Sequence, residues 1–232
     1  MMSATGSDDS FVVAIDGPAG AGKSSAALAL ANRLGFVLLD TGALYRAVAL
    51  AAKERGVSWD DGPALGALTA GLDLHFEADP DGGRPHVHLD GVDRSEDIRT
   101  PDISQGASQV SAHGEVRDAL LGVQRRLGDA GRVVVEGRDT CTVVFPRADV
   151  KVYLDASVDV RTARRRAELE GRGIIRSHEE VRDEIVERDH RDMNRPVAPL
   201  RPAEDAVRVD SSDLDLEQVI ARLFEIVARR RV

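Results

Sequence analysis

Residues 11–24 read Phe11-Val12-Val13-Ala14-Ile15-Asp16-Gly17-Pro18-Ala19-Gly20-Ala21-Gly22-Lys23-Ser24. Five apolar residues, Phe11 to Ile15, lead into Asp16 and a glycine-rich turn. The next apolar residues, Ala27, Leu30, Ala31 and Leu34, recur at i, i+3, i+4, i+7. The order is strand, turn, helix. Within the turn, Gly17 to Ser24 fits G-x-x-x-x-G-K-[ST], the phosphate-binding loop. Its glycines let successive backbone N–H groups turn inward around phosphate oxygens, and the helix N-terminus adds its dipole. Lys23 then reaches the terminal phosphates, and Ser24 can ligate magnesium. The bland alternative is a flexible turn with a surface lysine. It fits poorly, because only Lys23, Lys53 and Lys151 among 31 basic residues are lysines.

Working outward, Phe36 to Leu39 reads as a second buried strand ending at Asp40, and Ala43 to Arg55 as a helix stopped by Gly56. This βαβ opening predicts a parallel sheet covered by helices. Between Leu72 and Val92 the apolar period changes to two, interrupted by Asp79-Pro80-Asp81-Gly82-Gly83, which predicts a small antiparallel hairpin forming a lobe of its own. Val116, Ala119, Leu120, Val123 and Leu127 define another helix. Val133 to Val135, Val150 to Leu154 and Val207 to Val209 read as further strands, and Leu216 to Val227 as a closing helix before Arg229, Arg230 and Arg231. From Val160 to Arg195 the period is helical, broken around Gly171 and Gly173, with ten arginines from Arg161 onward. Such a segment cannot be mostly core.

At 232 residues and 42% apolar content the chain can bury a real core as one domain. A net charge of -9 argues against broad binding to nucleic acid or anionic membrane, so any anion site must be local. Cys141 is the lone cysteine, which excludes an internal disulfide and suits a reducing cytoplasm. Met1 to Ser10 is a polar tail without an apolar signal region, and no stretch approaches a membrane span.

Three further constellations fall where open α/β sheets bind ligands, at the carboxyl ends of strands. Asp40-Thr41-Gly42-Ala43-Leu44-Tyr45-Arg46 follows the second strand and would aim Arg46 at the phosphate site, although Asp40 and Thr41 could simply cap a helix. Glu136-Gly137-Arg138-Asp139 ends a buried strand, where the bland reading is an Arg138–carboxylate staple. Arg188, Asp192 and Arg195 share one helix face, which alone would pass for a solvated one. His86 and His88 share a strand face without a third metal ligand, and Cys141 reads as a small buried filler.

Taken together, GPAGAGKSS (Gly17 to Ser25), LLDTGALYR, ASQVS with VRDALL, EGRD followed by TVVFP, and ERDHRDMNRPVAPL closely resemble bacterial cytidylate kinases of the nucleoside monophosphate kinase family. The resemblance runs from Phe11 to the last helix. It implies an α/β fold with a five-stranded parallel sheet of P-loop topology, an inserted acceptor-nucleotide (NMP-binding) lobe and an arginine-rich lid. The corresponding division is a core of 11–61, 101–160 and 178–232, an insert of 62–100 and a lid of 161–177. It also implies a monomer that phosphorylates CMP and dCMP with ATP and Mg2+.

Carried over, Gly17, Pro18, Ala19, Gly20, Ala21, Gly22, Lys23, Ser24 and Ser25 would hold ATP, with Ser24 on the metal. Arg46, Arg138 and Arg195 would grip the CMP phosphate beside Asp40 and Thr41. Ser108, Arg117 and Asp139 would read the cytosine edge, Arg188 and Asp192 would lie near the ribose, and Arg164 and Arg165 would sit over the transferring group. The sequence departs from the family where Glu136 replaces the usual aspartate and Thr140-Cys141 the usual isoleucine-glycine, which puts base selectivity in question. The rival readings are a P-loop kinase of another small acceptor such as UMP, and a noncatalytic nucleotide-binding switch.

Overall fold

The computed structural model describes residues 10–128 and 131–230. The tail apart from Ser10, and Arg231, lie outside them. Five parallel strands, β1 (Phe11–Asp16), β2 (Val37–Asp40), β6 (Arg132–Gly137), β7 (Val150–Asp155) and β8 (Val207–Asp210), form one sheet in the order β2-β6-β1-β7-β8. Central strands β1 and β6 are apolar runs buried on both faces, as parallel sheets require. One face, carrying Val13, Ile15, Val134, Val152 and Leu154, packs on α1 (Lys23–Leu34) and α8 (Leu216–Ala228). Val133, Val135 and Leu39 meet Leu127, Phe145 and Phe76 on the other.

The second apolar cluster lies beside the sheet. There α2 (Thr41–Glu54), α3 (Gly62–Ala70), α4 (Pro101–Val110) and α5 (Gly114–Gly128) share buried residues with β3 (Leu74–Glu77) and β4 (His86–Leu89). The alternating stretch is more than a hairpin. A third strand, β5 (Val92–Asp93), pairs with β4, because Gly91 at φ 78° turns the chain back immediately. The period-two pattern missed it, since two residues are too few to show a period.

The arginine-rich stretch folds as α6 (Val158–Glu170) and α7 (His178–Asn194), separated by the glycine break at 171–177. A Ser177–Glu180 capping box starts α7. Leu169, Val181 and Ile185, with Ile174 against them, form an apolar cluster between the two helices at their outer end. Thr140–Val144, after the strand-end motif, is a single π-helical turn for which the sequence shows no periodic signal. No helix among the described residues is long and apolar enough to cross a membrane.

Candidate active site

Strands β1, β2 and β6 end side by side at a cleft of about 950 Å3, lined by the terminal residues Asp40 and Gly137 of β2 and β6 and, after β1, by the phosphate loop. The phosphate loop joins β1 to α1. Gly17 is obligatory in it: φ is 156°, and a Cβ there would lie 1.9 Å from the Leu154 carbonyl oxygen of the neighbouring strand. Lys23 is buried and donates to the Pro18 carbonyl at 2.8 Å. Burial, and then the nearby Arg138 guanidinium, push its pKa down to about 7.

Asp16, which the sequence left unassigned, is fully buried. It accepts from the Thr140 N–H and hydroxyl at 2.9 and 2.7 Å and from the Cys141 N–H at 2.8 Å. The π-helical turn is thereby tied to the root of the phosphate loop. Burial raises the Asp16 carboxyl, with these hydrogen bonds opposing it in part. Cys141 fills the space behind, its thiol pushed up by burial and then by Asp16. Glu136 faces Lys23 and Ser24 from the end of β6. Burial, then Asp40, raises its pKa, and its Oε1 is buried with no partner.

At the acceptor end, Asp40 caps α2 by accepting from the Ala43 N–H, and it pairs with Arg46 at 2.6 Å. Thr41 donates its hydroxyl to the Glu136 carbonyl. The capping alternative is therefore realised together with a cleft position. Burial alone would raise the Asp40 carboxyl, but Arg46 and then Arg84 outweigh it and hold it low. Arg138 is stapled to Asp192 at 2.9 Å and still lines the cleft. Arg188 lines it too, its pKa lowered to about 10 by burial and then by Arg138, and its Nε has no partner.

Asp139 is buried between Arg117, with which it forms a close ion pair, and Arg195 at 3.5 Å. Arg117 also donates to the Ser111 carbonyl at 3.0 Å, and Arg195 to that of Ala198 at 2.7 Å. Arg164 reaches the carbonyls of Ala21, Ser211 and Leu214, joining α6 to the start of α1 and to the loop before α8. Arg165 pairs with Glu168 on the cleft wall.

The structure gathers Ala19 to Ser25, Asp40, Thr41, Arg46, Arg117, Arg138, Asp139, Arg164, Arg165, Arg188, Asp192 and Arg195 around this cleft. Three expected residues do not line it. Gly17 and Pro18, the first two residues of the loop, are buried beneath it, and the Ser108 hydroxyl is taken up by Arg191 at 2.8 Å. Arg84, Arg99 and Glu184 line the cleft without having been singled out, since each sits in a segment that reads as ordinary polar surface.

The cytidylate kinase family model matches residues 13–229. A protein of Geobacter sp. (strain M21) described as cytidylate kinase is 47% identical over 223 residues, covering 96% of this chain and 95% of that one. One of Pasteurella multocida (strain Pm70) with the same description is 45% identical over 217 residues, covering 94% and 95%. With the phosphate loop, the arginine-lined cleft and this full-length similarity together, the chain belongs to the cytidylate kinase family.

Proposed function

We propose that the protein transfers the terminal phosphoryl group of ATP directly to the phosphate of CMP or dCMP, giving ADP and CDP or dCDP. The observation that carries this reading is the meeting of the phosphate loop with Arg46, Arg138 and Arg188 in one cleft. A noncatalytic switch would leave those cations without a ligand. In-line transfer asks that donor and acceptor phosphates be held together and that charge on the equatorial oxygens be neutralised. Lys23 and the cleft arginines suit both tasks. The acceptor is itself a phosphate, so no strong base is required.

Residues 17–25 would hold ATP, with Arg164 and Arg165 near the transferring group. Arg46, Arg138 and Arg195 would hold the acceptor phosphate beside Asp40 and Thr41. Arg117 and Asp139 would meet the cytosine edge, where an amino donor and a ring acceptor suit a carboxylate beside a guanidinium. Arg188 and Asp192 would take the sugar. Ser108 would act on the base edge only through Arg191, which occupies its hydroxyl. In this reading residues 62–100 serve as the acceptor lobe and 161–177 as the lid of a monomer working in the cytoplasm.

The site also suits magnesium. Ser24 and Glu136 offer hard oxygen donors side by side, and Glu136 has a buried oxygen lacking a partner. When bound with ATP the ion would neutralise phosphate charge. Coupled ADP release from ATP and magnesium, with and without CMP, dCMP and UMP, tests the proposal. CMP and dCMP should raise it far above the ATP-only background. No rise with folded protein would sink the reading, and UMP acting as well as CMP would overturn the base assignment.

A further inference from the structure

Two buried charged residues outside the assigned set lie where α6 and α7 meet the phosphate loop. Arg161, in the first turn of α6, and Asp189, in the last third of α7, are 5% and 7% exposed and form a close ion pair. Both also bind one residue of the loop: the Ala19 N–H donates to Asp189 Oδ1 at 3.2 Å, and the Ala19 carbonyl accepts from Arg161 Nη1 at 3.0 Å. Arg161 Nε donates to the Ala156 carbonyl just after β7. Gly20 is pressed against the same turn, since a Cβ there would come 3.1 Å from the Arg161 carbonyl oxygen. Asp189 also exerts its charge on Arg138.

We propose that the Arg161–Asp189 pair is a positioning device that fixes α6 and α7 in rotation and height against the phosphate loop. Its purpose is to aim the arginines those helices carry. This rests on the kinase reading above. Arg164 and Arg165 follow Arg161 by three and four residues, one turn along the same side of α6. Arg188 precedes Asp189 directly, and Asp192 follows it by three. A small rotation of either helix would displace the two cleft side chains it carries. Apolar packing between the helices is concentrated at the other end, at Leu169, Val181 and Ile185. At the core end the register is set by hydrogen bonds and charge.

Stability alone does not account for such a pair, because apolar residues of similar volume in place of a buried ion pair are often neutral or stabilising. Apolar contact cannot reproduce the fixed fork of an arginine or the acceptor for the Ala19 N–H. The double variant Arg161→Met with Asp189→Leu separates the two roles. Its melting temperature should equal or exceed the parent's. Its kcat should fall by roughly 10- to 100-fold with KM for ATP and CMP within about 3-fold, the pattern of misplaced rather than missing contacts.

Amide exchange of residues 17–24 in the ATP-bound state should quicken in that variant, a readout that needs no acceptor. Arg161→Lys, which keeps the charge and loses the fork, should show the same split if the double variant folds poorly. Parental kcat in a folded variant overturns the proposal. So does parental exchange of the loop if the parent itself proves inactive with CMP, a result that rejects the acceptor assignment separately.

Discussion

The two ends of the cleft handle buried charge in opposite ways. At the donor end Lys23 is buried against a carbonyl oxygen; burial first, then the guanidiniums of Arg138 and Arg188, lower its pKa, and Glu136 and Asp16 offset this only in part. At the base end Asp139 is buried between Arg117 and Arg195, and Asp192 is shared by Arg138 and Arg195. The donor end is a cationic site that a bound phosphate would complete. The base end is already completed by the protein. A site that waits for its ligand contributes little to the stability of the free fold, whereas a paired one contributes to both stability and recognition.

Lys23→Ala tests the donor end most severely. The ammonium acts on charge that shifts during transfer, so turnover should drop by about 100-fold or more. The melting temperature should stay level or rise, because a buried and poorly paired cation is removed. A clear fall in melting temperature at retained turnover would invert the comparison.

At the base end Asp139→Ala should damage both properties. Removing one partner of a buried ion pair costs roughly 3–5 kcal/mol, on the order of 10 °C in melting temperature for a chain this long. CMP efficiency should fall by about 10- to 100-fold and the preference for CMP over UMP should narrow, with ATP affinity retained. Thermal melts and acceptor kinetics on one preparation check this. Equal loss toward CMP and UMP would mean that Asp139 only staples Arg117 and Arg195.

Proton linkage gives a finer distinction. The folded pKa of Lys23, about 7, is below its ordinary 10.5, so between those values the unfolded chain holds the extra proton. Lys23 therefore makes stability rise as pH climbs from about 7 toward 10.5. Anionic phosphate beside Lys23 restores the proton, so ATP binding at pH 8 should take up about one proton. Calorimetry in two buffers of different ionisation enthalpy measures it, and Lys23→Ala should abolish it. No uptake in the parent would show that Lys23 is already charged in the free protein.

The smallest effect concerns the lid. Arg161 and Arg164 are anchored, so residues 171–177 should account for most of the slowing in hydrogen exchange when a bisubstrate analogue binds, with α6 changing little. Equal slowing across 161–177 would show instead that α6 moves with the rest of the lid.

The sequence by itself determined the parallel sheet, because β1 and β6 are apolar runs that can only be buried on both faces. It also determined the phosphate loop, whose spacing follows from short-range backbone geometry. Arg46, Arg138, Arg188 and Arg195 were legible one by one, beside a strand end or on a helix face, whereas Arg117, Arg164 and Arg165 came through the resemblance and Arg84 and Arg99 were not singled out. Their partners were not legible. Asp16 holding the π-helical turn, Asp189 holding Ala19, and Arg191 taking the Ser108 hydroxyl join residues 83 to 170 positions apart in the chain. Pairing between buried charges depends on which side chains the packed helices bring within hydrogen-bond reach, and a sequence pattern carries only the local period of each helix. Tertiary structure alone therefore decided that Lys23 remains short of counter-charge while Asp139 is fully paired.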